Sequence, residues 1–304
     1  MREDLLSLIS AEKESFGVAM MCELLGIARS SYYAWEAAAA TRRQADPWAE
    51  ARAMVERFWL DHCRRPGART IHACLGVPGL TLYRVRKLMR ELGIRGVHPR
   101  TSKRTTVPDP DAPARPDLIR RDFESPVPTV KLVGDITYLR TGEGWLYMAA
   151  VIDLCTRMVV GLSFSDRMTA DLPIAALETA YGRGFVADGA IFHSDRGSQY
   201  TSKAMADWAG DHGVRLSVGR TGSCHDNAVA ESFFGTFKNE MYHLRAFATR
   251  DEARMAAVEY VEGYCNRRRP HSTIGYRIPA EVMDGFFARF EEMLAGEAQQ
   301  PLAA

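Results

Sequence analysis

Three carboxylates in this 304-residue chain sit where an acid is costly to keep without a partner. Asp135 interrupts the apolar stretch KLVGDITYL, Asp195 closes the short run AIFHSD, and Glu231 lies one turn inside NAVAESFFGTFKNEMYH. A carboxylate among apolar residues is expensive to bury unless it is paired or coordinates a cation. Mg²⁺ takes such oxygens, commonly one or two of them, with water and phosphate oxygens completing its shell. Two such ions about 3.5–4 Å apart can activate the attacking oxygen and stabilise the leaving one in phosphoryl transfer. Taken singly, each residue has a plainer reading: Asp135 caps a strand, Asp195 makes a turn, and Glu231 is a solvated helix residue. The stretch HSDRGSQYTS at 193–202 is too polar for a strand centre and too rich in turn formers for a helix. It is either a surface turn or a carboxylate held at the C-terminal edge of a strand, where enzymes often place their chemistry. On the helix of Glu231, Asn227, Gly235, Lys238 and Tyr242 fall along one stripe with it, while Ala230, Phe233, Phe237, Met241 and Leu244 make the apolar face. Glu231 and Lys238 are two turns apart on one side, so a metal-binding carboxylate and a phosphate-binding ammonium can face the same groove.

The surrounding pattern supplies the elements that would hold these groups. KLVGDITYL, WLYMAAVIDLCT and MVVGLSFS read as three consecutive strands, TADLPIAALETAYGRG as a helix, and AIFHSD as a fourth strand. SKAMADWAGDHG reads as a second helix and RLSVG as a fifth strand. The long helix from 227 has Asp226 or Asn227 as its cap. Three strands followed by alternating helices and strands make an α/β layer, a mixed sheet with helices on its faces. The loop RTGSCHDN before the last helix is polar and Gly-bearing, and is expected to move as active-site loops do.

Net charge is +1, but it is unevenly spread. Residues 64–104 hold eleven Lys or Arg against one acid, Glu91, an excess of ten positive charges; the other 263 residues carry an excess of nine negative ones. A concentrated basic block in a near-neutral protein fits a polyanionic partner. Within it ARTIHACLG and LTLYRVRKLMRELG read as two helices about a VPG turn, with Thr81 as N-cap and Gly93 as stop. Leu82, Val85, Leu88, Met89 and Leu92 share one face, and Arg84, Arg86, Lys87 and Arg90 the other, a helix-turn-helix pattern suited to the DNA major groove. A solvated helix face is the alternative. FGVAMMCELLGIARSSYYAW reads as another small helical pair. Residues 99–128 hold seven of the fourteen prolines, an extended linker where a domain boundary is expected. No apolar run approaches the ~18 residues of a membrane span, and the acidic N-terminus lacks the apolar core of a secretory signal. Six scattered cysteines without a CxxC pair fit reduced thiols; His62, Cys63, His72 and Cys74 match no common zinc spacing.

Together, DITY at 135–138, HSDRGSQY at 193–200, GSCHDNAVAESFFGTFKNE at 222–240 and RRRPHSTIGYRIP at 267–279 resemble the insertion-sequence transposases related to retroviral integrases. The 35 residues between Asp195 and Glu231 match the spacing of that Asp-Asp-Glu superfamily, and the resemblance covers nearly the whole chain. It implies an RNase H-like mixed five-stranded sheet flanked by helices and preceded by a helix-turn-helix region. The implied division is an N-terminal helical segment (1–40), a basic DNA-binding region (41–98), the linker (99–128), the catalytic core (129–245) and a C-terminal helical and basic segment (246–304). The implied activity is metal-dependent cleavage of DNA at the element ends and strand transfer, through a 3′-hydroxyl and without a covalent protein–DNA intermediate. Asp135, Asp195 and Glu231 would hold Mg²⁺ (Mn²⁺ substituting), two ions in all. Lys238 would contact DNA, as would Arg84, Arg86, Lys87, Arg90, Arg268 and Arg269, with His193 and Asn227 supporting the ligands. The family commonly has Trp where Leu132 stands and Tyr where Cys265 stands. Implied partners are double-stranded DNA, further copies of the chain on that DNA, and the product of an upstream reading frame, since the start matches the second of two overlapping frames. The expected location is cytoplasmic, at the nucleoid. The alternatives are a catalytically silent DNA-binding regulator or partner of a frameshift fusion, and a hydrolytic nuclease of the same fold.

Overall fold

The computed structural model describes residues 2–44, 46–97, 116–219 and 227–298. The chain forms two compact units, residues 1–57 and 58–304. In the first, helices α1 (Arg2–Glu12), α2 (Val18–Leu24) and α3 (Arg29–Gln44) bury Leu6, Ile9, Met21, Cys22, Ile27 and Tyr32 against one another. The helical pair expected over 16–35 is α2 and α3, and α1 adds a third wall. Helix α4 (Ala49–Asp61) follows. Most of the Pro-rich stretch, residues 98–115, lies outside the described residues, as does the loop 220–226 with Asp226.

In the second unit the basic helices are α5 (Ala68–Leu75) and α6 (Leu82–Glu91). The Thr81 hydroxyl accepts the Arg84 N–H at 3.2 Å and caps α6. Val85, Leu88 and Met89 are buried, while Arg86, Lys87 and Arg90 are exposed and Arg84 is half-buried. The two faces read from the sequence are therefore the inner and outer faces of the helix. Not every cation of the basic block looks outward. The Arg65 Nε donates to the Glu240 carbonyl at 3.1 Å, and its guanidinium lies over the Tyr264 ring at 4.3 Å.

The sheet runs in the order β3-β2-β1-β4-β5. Strands β1 (Lys131–Thr141), β2 (Gly144–Asp153) and β3 (Val159–Ser165) form an antiparallel meander, and β4 (Ile191–Ser194) and β5 (Arg215–Val218) add parallel to β1. β2 shows the alternation of a sheet covered on both sides. Met148, Ala150 and Ile152 join the layer beneath α10 (Ala228–Glu240) and α11 (Arg250–Val258). Ala149 and Val151 join the layer beneath α7 (Asp171–Gly182), α8 (Ser198–Thr201) and α9 (Lys203–Asp211). α7 packs so closely that a Cβ at Gly161 would stand 2.1 Å from the Ala176 carbonyl. After α11 the chain continues as a π-helical stretch, Glu259–Cys265, and the last element among the described residues is α12 (Pro279–Ala298). Buried Asn266 ties this segment to β3, exchanging two 2.9 Å bonds with the Val159 N–H and carbonyl. Leu132 and Cys265, where the resemblance led to an expectation of aromatics, are both buried.

Candidate active site

The carboxylates are positioned by one short strand pairing. β4 meets β1 over three residues, with Val133 opposite His193. Two residues further along each chain stand Asp135 and Asp195, at the same level of neighbouring parallel strands, where β4 has ended. From there β1 remains paired with β2 but has no strand on its β4 side. The N–H and carbonyl groups of its even-numbered residues point to this open side, as the Val130 carbonyl does in accepting the Ile191 N–H at 2.9 Å. Asp135 turns its own carboxyl onto that edge, where Oδ1 accepts the Ile136 N–H at 2.8 Å.

α10 and the short turn after it close the edge. The Asn227 Nδ2 donates to the Gly134 carbonyl at 3.1 Å. Six residues along, the Tyr242 hydroxyl accepts the Arg140 N–H at 2.6 Å and donates to the Arg140 carbonyl at 3.2 Å. Pinned at both ends, the helix lays Glu231 and Lys238 beside Asp135. Asp226 or Asn227 was expected to cap the helix; Asn227 stands at the N-cap position, but its side chain makes no cap bond and is instead committed to the strand. Of the expected apolar face, Ala230, Phe237 and Met241 are buried, but Phe234 is the residue that enters the core and Phe233 is only partly buried. Leu244 is 62% exposed, because α10 ends at Glu240 and Tyr242–Leu244 form a 3₁₀ turn that leaves the helical stripe. Gly134 is required: a Cβ there would meet the Phe192 ring at 2.5 Å.

The electrostatics follow from this crowding. Asp135 is pushed up to about 8, first by burial and then by the Asp195 charge, with Glu231 adding to the rise and the Ile136 N–H and Lys238 opposing it. Asp195 is raised by burial against the Gly197 N–H, which donates to its Oδ1 at 2.9 Å. Burial lowers Lys238, and the Asp135 charge holds it up. The Tyr200 phenol is raised well above its ordinary value by burial and by both aspartates, so it belongs to the same neighbourhood; the sequence offered only its place in HSDRGSQY as a signal. Buried His193 shares a 2.8 Å hydrogen bond with the Ser217 hydroxyl, which in turn accepts the Leu118 N–H at 2.9 Å. The Asn227 Oδ1 is buried without a partner among the described residues.

A cluster of oxygen acids that raise one another is a donor set suited to a hard divalent cation. Asp135 and Asp195 are adjacent and the Glu231 charge reaches Asp135, yet among the described residues no three His, Cys, Asp or Glu side chains stand close enough to share one ion. The remaining expected contacts lie apart from this cluster. Arg84, Arg86, Lys87 and Arg90 are on α6, and Arg268 donates to the Asp61 carbonyl. Arg269 faces inward: its Nη2 meets the Glu240 carboxylate at 2.8 Å, in a pair that also takes the Tyr260 hydroxyl.

Comparison with known proteins identifies the family. Two family models, each described as an integrase core domain, match residues 126–224 and 212–279. The chain is 35% identical over 285 residues to the insertion element IS600 uncharacterized 31 kDa protein of Shigella sonnei, covering 90% of this chain and all of that one. It is also 35% identical over 278 residues to transposase InsF for insertion sequence IS3A of Escherichia coli K12, covering 90% and 96% of the two chains. Among solved structures it is similar to a simian T-cell lymphotropic virus intasome chain (TM-score 0.45, 14% identity, 75% of this chain and 73% of that chain). It is similar also to the HTLV-2 integrase catalytic core domain (TM-score 0.42, 16% identity, 52% and 99%). On the sequence matches, the chain belongs to the insertion-sequence transposases that carry an integrase core domain.

Proposed function

We propose that the chain cuts DNA at the ends of an insertion sequence and joins those ends to new DNA, with Asp135, Asp195 and Glu231 as the residues that hold its metal. The observation that carries this reading is the Val133–His193 register, which sets two aspartates side by side at a strand edge, where burial first and the Asp195 charge second push the Asp135 carboxyl up to about 8. A carboxylate pair under such mutual repulsion gains from a bound cation. Mg²⁺ fits the all-oxygen donors, with Mn²⁺ as its substitute and two ions as the working number; bound there, it would polarise the phosphate and assist the attacking and departing oxygens. The chain's own groups do the rest. Asn227 and Tyr242 fix α10 against β1, which keeps Glu231 and Lys238 at the edge. The Lys238 ammonium, held over the Tyr138 ring at 4.7 Å, attracts a phosphate toward the aspartates. His193, bonded to Ser217, and Tyr200 pack behind Asp195 and restrict its movement.

In this reading α5 and α6 dock on duplex DNA through Arg84, Arg86, Lys87 and Arg90, with Arg268 nearer the C-terminus as a further contact. The five-part division at residues 40, 98, 128 and 245 follows from it. So do assembly of several copies on DNA, a partner encoded by an upstream frame, and residence at the nucleoid. The test is a nicking and joining assay with the full chain and duplexes carrying the repeats that flank its gene. Nicks at the repeat tip should need Mg²⁺ or Mn²⁺ and disappear in Asp195→Asn and Glu231→Gln, while both variants still bind DNA. Nicking that survives either change would refute the assignment. Binding without nicking by the unaltered chain, alone and fused to the upstream frame, would favour the regulator reading.

A further inference from the structure

Beyond the carboxylates, β1 and β2 carry an exposed row of rings and cations that the cutting chemistry does not use. Tyr138 lies opposite Tyr147, and Arg140 opposite Trp145, so Trp145 is the diagonal neighbour of Tyr138 on one face of the hairpin. The two rings stand edge to face, centroids 5.2 Å apart and planes at 86°. Tyr138 is 40% and Trp145 45% exposed. The row is bounded by charge: the Lys238 ammonium sits 4.7 Å from the Tyr138 centroid, and exposed Arg140 stands across from Trp145. Lys238 also feels the Asp135 charge, so one ammonium links the rings to the carboxylates.

We infer that Tyr138 and Trp145 are a stacking platform for the unpaired bases of the DNA strand whose phosphate lies at the carboxylates. This rests on the reading of Asp135, Asp195 and Glu231 as the cutting site. Exposed aromatics interleaved with cations are the chemistry by which proteins hold single strands, because every base offers a π-face and every link a phosphate. At a strand rise of about 3.3 Å per residue, Tyr138 lies roughly 10 Å and the Arg140–Trp145 pair roughly 16 Å along β1 from Asp135; alternate residues face opposite sides of the sheet, so it is Lys238, in reach of both the Tyr138 ring and the Asp135 charge, that joins the rings to the carboxylates at the strand edge. A phosphate drawn to Lys238 brings its neighbouring base onto Tyr138 and the next toward Trp145, while Arg140 meets the following phosphate. Bases inside a duplex have both faces covered by their neighbours, so the platform selects a melted or protruding end.

The test uses the full chain in EDTA, where no cutting occurs, with labelled duplexes that are blunt or end in four unpaired nucleotides. Tyr138→Ala combined with Trp145→Ala should bind the unpaired-end duplex about tenfold more weakly or worse, and the blunt duplex as before. Tyr138→Phe and Trp145→Phe should retain binding, and replacing the unpaired nucleotides by abasic ones should remove the advantage from the unaltered chain. As a second readout, the protruding end should quench emission in the unaltered chain beyond that in Trp145→Phe. Equal losses on both duplexes, no loss in a variant whose circular dichroism is native, or no extra quenching would each overturn the platform, and a protein partner would then be sought for these rings. Failure of the carboxylate reading shows separately, as metal-dependent nicking that persists in Asp195→Asn.

Discussion

Replacing Asp135 by Asn should stabilise the metal-free protein, and the effect should grow with pH. In the unfolded chain this carboxyl ionises near 3.8; in the folded one burial, Asp195 and Glu231 hold the proton on to about 8. Between those values the folded state binds more protons than the unfolded one, so stability falls as pH rises through roughly 4 to 8 and is flat outside that window. About four pH units at about 1.4 kcal/mol each set an upper bound of roughly 6 kcal/mol. Asp135 is partly accessible, and water screening leaves a working figure of about 2 kcal/mol. Asp195, raised in the same sense, adds to the trend, whereas Lys238, which burial lowers, opposes it at higher pH. For a unit of this size, 2 kcal/mol is about 4–8 °C in melting temperature. The measurement is thermal unfolding in EDTA at pH 5 and pH 8 for the unaltered chain and Asp135→Asn. The curves should nearly coincide at pH 5, and the variant should melt several degrees higher at pH 8. Saturating Mg²⁺ should then raise the unaltered chain by roughly 3 kcal/mol at a hundred times its Kd and leave the variant unmoved. A variant that melts at or below the unaltered chain at pH 8 would refute the claim that these acids repel one another.

Other outcomes follow from residues already placed. Arg86→Ala with Arg90→Ala should weaken duplex binding and flatten its dependence on salt by roughly 2 in the log–log slope, about 0.9 per phosphate contact, read by binding titrations from 50 to 200 mM salt. Arg269→Ala should cost about 3–5 kcal/mol in urea unfolding, because it leaves the Glu240 carboxylate, 11% exposed, with a lone tyrosine partner. Asn227→Leu should lower nicking by an order of magnitude or more with only a small change in stability, since it frees the start of α10 from Gly134 without removing any metal ligand.

The strands and helices of the core were legible because each carries a strong local signal: apolar runs in β1, β2 and β4 and a Thr81 cap on α6. The three carboxylates were legible as residues out of place among apolar neighbours. What spacing could not convey was how the chain closes on itself. Nothing local says that β4 is only four residues long, yet that shortness opens the β1 edge and makes room for α10. The helical wheel put Asn227 and Tyr242 on the stripe of Glu231 but could not reveal that both would bond to β1. Arg65 and Arg269 read as surface cations because their partners, Glu240, Tyr260 and Tyr264, are distant in sequence. Asn266 gave no signal at all, since its two bonds to Val159 span 107 residues.

The closure of the β1 edge by α10 has a consequence for quality control of the protein in its host. An uncovered strand edge is a template for pairing with another chain. Here the cover is the helix that bears Glu231 and Lys238, so on the reading proposed above a copy in which α10 has slipped would lose its cutting groups and expose that edge in the same event. Loss of the groups proposed to cut and exposure of a pairing edge are thus one structural event.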